Sequence, residues 1–428
     1  MAESALAGAL TAALEDPESA EKKIREVSME PVVTVKEAEL VVRLLRMFPL
    51  SADSAAKRAV GSSLRDVIGM MQRPKGEEAV KLLREAGCPE LLRIFDTLSA
   101  TADKRTRDDL LFLLKVVSMY APQGGLNRVV TAARSPLLND GFPWSMIFHM
   151  LAKDRHPWRA EIIEALREPL PEGFVAITFL DLCNAAGRSG GLKHHPFDTE
   201  SGLEMLLSWV RETGDRSSHA LSAAASIPFL SPRVRGEVQT LANQHPDRGV
   251  QLEAAWAAAA CGDERGFQKL EAASAVPQDA AAAMHYLTEL GAENRIPPQS
   301  RTDDFKAISE MCQWLGHPNE FGAPPEEIQQ VDARELFWPP KDDRRKLWVF
   351  RYRYPPDEGK TEPKMGYGMV GSVTFALFGE ATADLSPEQV FGLHCAWELE
   401  CNGDPRAPKK RTPEAGVEIL KRYNPDFG

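Results

Sequence analysis

From the start of the chain to about Trp338, apolar residues recur at three- and four-residue steps. That spacing is what a helix needs to bury one stripe and leave the rest in water. The predicted helices are Ala5–Leu14, Glu18–Val27, Val35–Phe48, Ala52–Met71, Gly76–Glu85, Pro89–Leu98 and Lys104–Tyr120. They continue as Leu126–Ala133, Pro143–Leu151, Arg159–Leu166, Gly173–Ala186, Gly202–Glu212 and Ser218–Ile227. Pro232–Asn243, Val250–Ala260, Arg265–Ala273, Asp279–Leu290 and Asp303–Trp314 complete the set. Phe48-Pro49, Gly87-Cys88-Pro89, Gly124-Gly125, Gly187, Gly214, Gly262 and Gly291 supply stop chemistry between them.

The pattern changes after Asn294. RIPPQSRTDDF predicts a corner, and HPNEFGAPPEE and FWPPKDDRRK predict loops. LWVFRYRY, residues 347–354, then alternates and is rich in strand formers. Trp348, Phe350, Tyr352 and Tyr354 fall on one face, and Leu347, Val349, Arg351 and Arg353 on the other. A polar loop leads to a second predicted strand, Met369–Phe378, so the two read as a hairpin or as neighbours. A helix follows, with Ser386 as N-cap, Pro387 in the first turn and Gln389 closing a capping box. A second short helix opens at Thr412-Pro413-Glu414 and stops at Asn424-Pro425.

Helix pairs recur every 35 to 45 residues or so, a period of stacked helical repeats. The clearest pair is DRGVQLEAAWAAAACGDERGFQKLE, Asp247 to Glu271. Asp247 caps the first helix, and Val250, Ala254, Ala255 and Ala258 share a face flanked by Leu252 and Trp256. Gly262-Asp263 turns the chain, and Phe267 and Leu270 point back to close the pair. This pair resembles a unit of the HEAT family, which has an Asp, a Val-Arg pair and small residues at fixed offsets. Gln251 holds the Arg place here, so the resemblance does not carry the family's Asp–Arg ladder with it. What the resemblance implies is a mainly α protein: a HEAT-like α-solenoid of antiparallel helix pairs over residues 1–300. A helix and linker over 301–340 and a small α+β domain over 341–428 would follow. Such a fold names no reaction.

Composition narrows the class. The chain has 428 residues, 43% hydrophobic and 26% charged, as in soluble globular proteins. Its net charge of −11 argues against a nucleic-acid surface, because phosphate binding draws on Lys and Arg. Residues 340–428 carry 14 basic and 14 acidic side chains, so the acidity belongs to the helical part. No run reaches the ~18 apolar residues of a membrane span. The opening MAESALAGALTAALEDPES has no basic start and carries Glu3, so it reads as an amphipathic helix rather than a secretory signal. A cytoplasmic protein is the expectation. The six cysteines are scattered without metal spacing and read as buried, reduced thiols.

Candidate chemistry is thin. His194-His195 with Asp198, in GLKHHPFD, has metal-ligand residue types, but neighbouring side chains on a loop point apart. The reading preferred is a loop anchored by Pro196 and Phe197. His394 and Cys395 are consecutive on a helix, about 100° apart, and cannot form a nucleophile–base pair. Gly371-Ser372 lacks the G-x-S-x-G elbow, and Gly366-x-Gly368-x-x-Gly371 runs into a strand rather than a helix. Neither a metal nor a cofactor is predicted. Arg344-Arg345-Lys346 and Lys409-Lys410-Arg411 read as solvated flanks.

The function expected is therefore a non-enzymatic scaffold for a protein or peptide. Its candidate contacts are Trp338, Trp348, Arg351, Tyr352 and Arg353, because interface centres favour aromatics and Arg. One alternative is an enzyme whose site gathers Asp332, Arg334, Glu335, His317 and His394. The other is a HEAT-type nucleic-acid binder, against which the charge weighs.

Overall fold

The computed structural model describes residues 4–16, 20–48, 63–100, 102–104, 106–153, 155–317, 319–356, 361–378 and 384–427. These are mainly helical, with a four-stranded antiparallel sheet near the C-terminus. No helix among them is long and apolar enough to cross a membrane. The chain divides into two compact units, Met1–Ala242 and Asn243–Gly428.

In the first unit, local chemistry sets the helix starts. Ser4 caps Ala5–Glu15, and Thr34 with Glu37 closes a capping box on Val35–Met47. The predicted break at Gly87-Cys88-Pro89 does not occur. The chain stays helical from Glu77 to Ser99, through a π-helical turn at Leu83–Gly87. The wider turn accommodates Pro89, which cannot donate a backbone N–H. Of the predicted helix Ala52–Met71, the described part is Leu64–Met70; residues 49–62 lie outside the described set.

A set of polar contacts, found in both units, shares similar sequence separations. In the first, Arg128 holds Asp96, Arg134 Nη2 donates to the Ala165 carbonyl, and Ser231 Oγ and Arg233 reach Asp198 and Glu200. In the second, Arg248 pairs with Asp279, Tyr286 donates to Glu253, and Arg295 holds Glu264 with bonds of 2.7 and 2.8 Å. Each of these links residues 31 to 33 positions apart. Other polar contacts lie within the 35 to 45 read from the helix spacing: Asn184 to Ser222 and His156 to Ser118 are 38 positions apart, and Arg46 to Glu90 is 44.

The second unit opens with the clearest predicted pair, now Arg248–Ala260 and Glu264–Ala273. Asp247 accepts from the Gly249 and Val250 amides, and Gly262, at φ +84°, makes the turn that favours glycine. The helices approach closely at Gly266: a Cβ there would stand 2.4 Å from the Ala259 nitrogen. Leu270 is buried as expected, while Phe267 is only half-buried and lies under the Arg295 guanidinium, 4.6 Å from its centroid.

Pro277–Glu289 and Asp303–Leu315 continue the chain into the sheet. The strands are β1 (Glu327–Trp338), β2 (Asp343–Tyr354), β3 (Lys364–Val370) and β4 (Phe375–Phe378), in that order across the sheet. Strand alternation in β2 is as read: Phe350, Tyr352 and Tyr354 pack on the Asp303–Leu315 helix through Ala307, Met311 and Leu315. Leu347 and Val349 face the other way, onto the helices Pro387–Cys401 and Pro413–Tyr423. The sheet is thus covered on both faces. Because Asp303–Leu315 packs on both Pro277–Glu289 and the sheet, residues 243–300 fall in the unit that holds the sheet.

Two elements differ from the sequence reading. The stretch expected to be linker contains β1, an edge strand paired only with β2 and bulged between Gln330 and Asp332. The single strand predicted over Met369–Phe378 is two strands, parted at residues 371–374. Gly371 turns the chain there at φ +112°, where a Cβ would lie 2.3 Å from the Lys346 carbonyl oxygen. The Ser386 capping box and the Thr412 cap form as predicted.

Candidate functional site

The five residues predicted as contacts do not make one surface. Trp338 is fully buried against the C-terminal helices, and Tyr352 is 2% exposed on the opposite face of the sheet, its hydroxyl donating to the Leu377 carbonyl. Burial removes both from any docking role. Trp348 is half-buried; its Nε1 donates to Asp304 at 2.7 Å and Lys346 lies over its ring. Arg353 is bound to Glu327, across the sheet on β1. Arg351 is exposed, with Gln329 and Tyr367 as cross-strand neighbours. Alternation explains the scatter, since residues one apart on a strand face opposite ways.

The enzyme alternative also disperses. Arg334 bridges Asp332 and Glu388, with its guanidinium 5.4 Å from the Phe427 centroid. Glu335 is exposed beside Arg344, and His317 is exposed with Nδ1 accepting from the Asn319 amide. His394 instead joins a buried centre that the sequence reading missed. Its hub is Glu398, 2% exposed, which accepts from Ser372 Oγ at 2.9 Å and Trp338 Nε1 at 3.3 Å. His394 Nδ1 lies 3.2 Å from the carboxylate but is misaligned for a hydrogen bond, so the approach is electrostatic. Burial would raise the Glu398 carboxyl; the adjacent His394 ring and the bonds from Ser372 and Trp338 outweigh it and hold the carboxyl low. His394 is 1% exposed and boxed by Trp338, Phe375 and Trp397, so the centre is enclosed by aromatic rings.

The remaining candidates resolve simply. His195 is buried, its Nε2 at 3.2 Å from Asn184 Oδ1 and its Nδ1 accepting from the Phe197 amide. Those partners fix one neutral tautomer. Burial pushes its pKa down to about 4. His194 is exposed, and Asp198 accepts from Ser231. Among the described residues no group of three or more His, Cys, Asp or Glu is placed to hold a metal. Cys88, Cys183, Cys312 and Cys395 are buried as read, with burial raising each thiol; Cys261 and Cys401 are exposed instead.

The more open feature lies in the first unit. A groove of about 940 Å³ runs between the loop at Asn139-Asp140 and the helices Phe174–Arg188, Glu200–Trp209 and Ser217–Ala225. Its apolar floor is Phe174, Ile177, Met205 and Trp209. Asp140, Glu172, Glu204 and Glu212 line it with charge.

Each wall has a local cause. Glu200–Trp209 buries Leu203 and Leu206, which turns Ser201, Glu204, Met205 and Ser208 outward on one helical row. Thr199 Oγ1 caps this helix by accepting from the Gly202 amide. The loop wall is clipped on by the Val175 amide, which donates to the Asn139 carbonyl at 3.0 Å. Gly173 permits this at φ +69° and ψ −153°, a conformation essentially confined to glycine. Trp209 leans on the buried Phe197 ring at 5.8 Å, so the GLKHHPFD loop serves as its support. His219 Nδ1 lies 2.6 Å from Glu212, tying the third helix to the turn that follows the second.

No protein family and no curated protein matches this sequence.

Proposed function

We propose that this protein is a non-enzymatic interaction scaffold, and that the groove in its first unit holds a protein or peptide partner. The observation that carries the reading is the groove itself. Phe174, Met205 and Trp209 remain only half-buried there, an apolar floor left to water within a rim of charge. Apolar area of this kind in a polar frame marks interaction sites.

The architecture proposed is a stack of HEAT-like helix pairs within each unit. The polar links at 31 to 33 residues support it, because stacked repeats bring equivalent positions together once per period. Arg248 with Asp279 joins the first turn of one helix to the first turn of Pro277–Glu289. That is a cross-repeat ion pair of the general kind that Gln251 had put out of reach.

The test is co-purification from the native source, using the full chain and a Met205→Arg variant that fills the groove. A stoichiometric partner held by the unchanged protein and lost from the variant supports the reading. Equal retention by both proteins, or no stoichiometric partner, refutes it.

A further inference from the structure

We infer that the occupant of this groove is a cationic amphipathic segment, with apolar side chains for the floor and Lys or Arg for the rim. The inference rests on the interaction reading above and specifies its partner. Glu212 already has His219 and Arg216 beside it. Asp140, Glu172 and Glu204 are exposed and have no cation from the described residues within ion-pair distance. The groove therefore presents three uncompensated carboxylates around half-buried Phe174, Met205 and Trp209.

An acidic or neutral partner would bring like charge to these carboxylates or leave them without a counter-ion as water is displaced, and both cost affinity. A cationic segment satisfies them at the rim while its apolar residues cover the floor. A helix with apolar positions three and four apart presents that arrangement, as in other helix-in-groove complexes. The rim ion pairs remain partly solvated, so salt weakens the complex by screening them.

The probe is a fluorescently labelled synthetic helix of Leu and Lys, compared with its Leu and Glu counterpart, titrated with the full chain. Anisotropy reports binding. The expected result is that the Leu/Lys helix binds, the Leu/Glu helix does not, and Glu172→Lys with Glu204→Lys weakens binding about tenfold or more. Glu237→Lys with Glu418→Lys removes the same charge at exposed positions outside the groove, and should weaken binding less than about threefold. Circular dichroism melts confirm that both double variants fold. Equal weakening by the two double variants would overturn the inference, since general acidity would then account for binding. So would comparable binding of both probes, or no binding of the Leu/Lys helix. A native partner lost on Met205→Arg without Leu/Lys binding would remove the cationic occupant and leave the scaffold reading standing.

Discussion

His195 and Glu398 carry the clearest residue-scale consequences, because each is a buried titratable group with defined partners. His195 has a folded pKa of about 4, below the ordinary 6.5. The unfolded chain therefore binds the proton first as pH falls. Its contribution to stability is complete above 6.5 and is lost between 6.5 and 4, amounting to roughly 3 kcal/mol at most. Denaturant unfolding at pH 7 and pH 4.5 should show His195→Gln losing less stability on acidification than the unchanged protein. Equal losses would contradict this account of His195. Glu398 has the opposite sign of charge and a lowered pKa, so its stabilisation is present above the ordinary carboxylate range and is lost in acid. Glu398→Ala strands the buried Trp338 indole N–H and leaves the half-buried Ser372 hydroxyl without its acceptor, and should cost about 3 kcal/mol, whereas Glu398→Gln keeps an acceptor and should cost less. A similar loss from both variants would show that the hydrogen bonds do not matter.

Among elements, two glycines decide how closely neighbours approach. A side chain at Gly266 would enter the backbone of Arg248–Ala260, so Gly266→Val should cost about 1–3 kcal/mol in a thermal melt. Gly173→Ala forces an alanine into a glycine conformation and should loosen the Asn139 loop, read as faster exchange of the Val175 amide. An unchanged exchange rate would show that Gly173 does not fix that wall. Most helices were legible because each buries a stripe at helical spacing, and the caps at Asp247, Ser386 and Thr412 used side chains whose role is local. β1 was illegible for a physical reason. As an edge strand it keeps Gln329, Gln330 and Glu335 in water, so it carries no strong alternation, and Pro324-Pro325 and Pro339-Pro340 fence it like a loop. Glu398 had a signal that went unread: it follows His394 by one helical turn, on the row that also holds Val390. Trp338 and Tyr352 lie in the core rather than on a surface because aromatic side chains pack on buried sheet faces as well as at interfaces, and only packing separates the two uses.

At the scale of the whole molecule, charge and groove point the same way. The net −11 belongs to residues 1–339, and the groove draws its carboxylates from three separated segments of that region. No single segment advertises it; Ser201, Glu204 and Ser208 are merely the wet side of a helix until Phe174 and Asp140 close the other wall. The reading predicts that partner binding weakens as salt rises and tracks groove substitutions rather than total charge. The most direct test places a photo-crosslinking residue at Ser208, exposed within the groove, and at Glu237, exposed outside it, in the full chain in its native cells. The account predicts a discrete protein adduct from position 208 and none of the same mass from position 237. The same adduct from both positions, or none from 208, would contradict it.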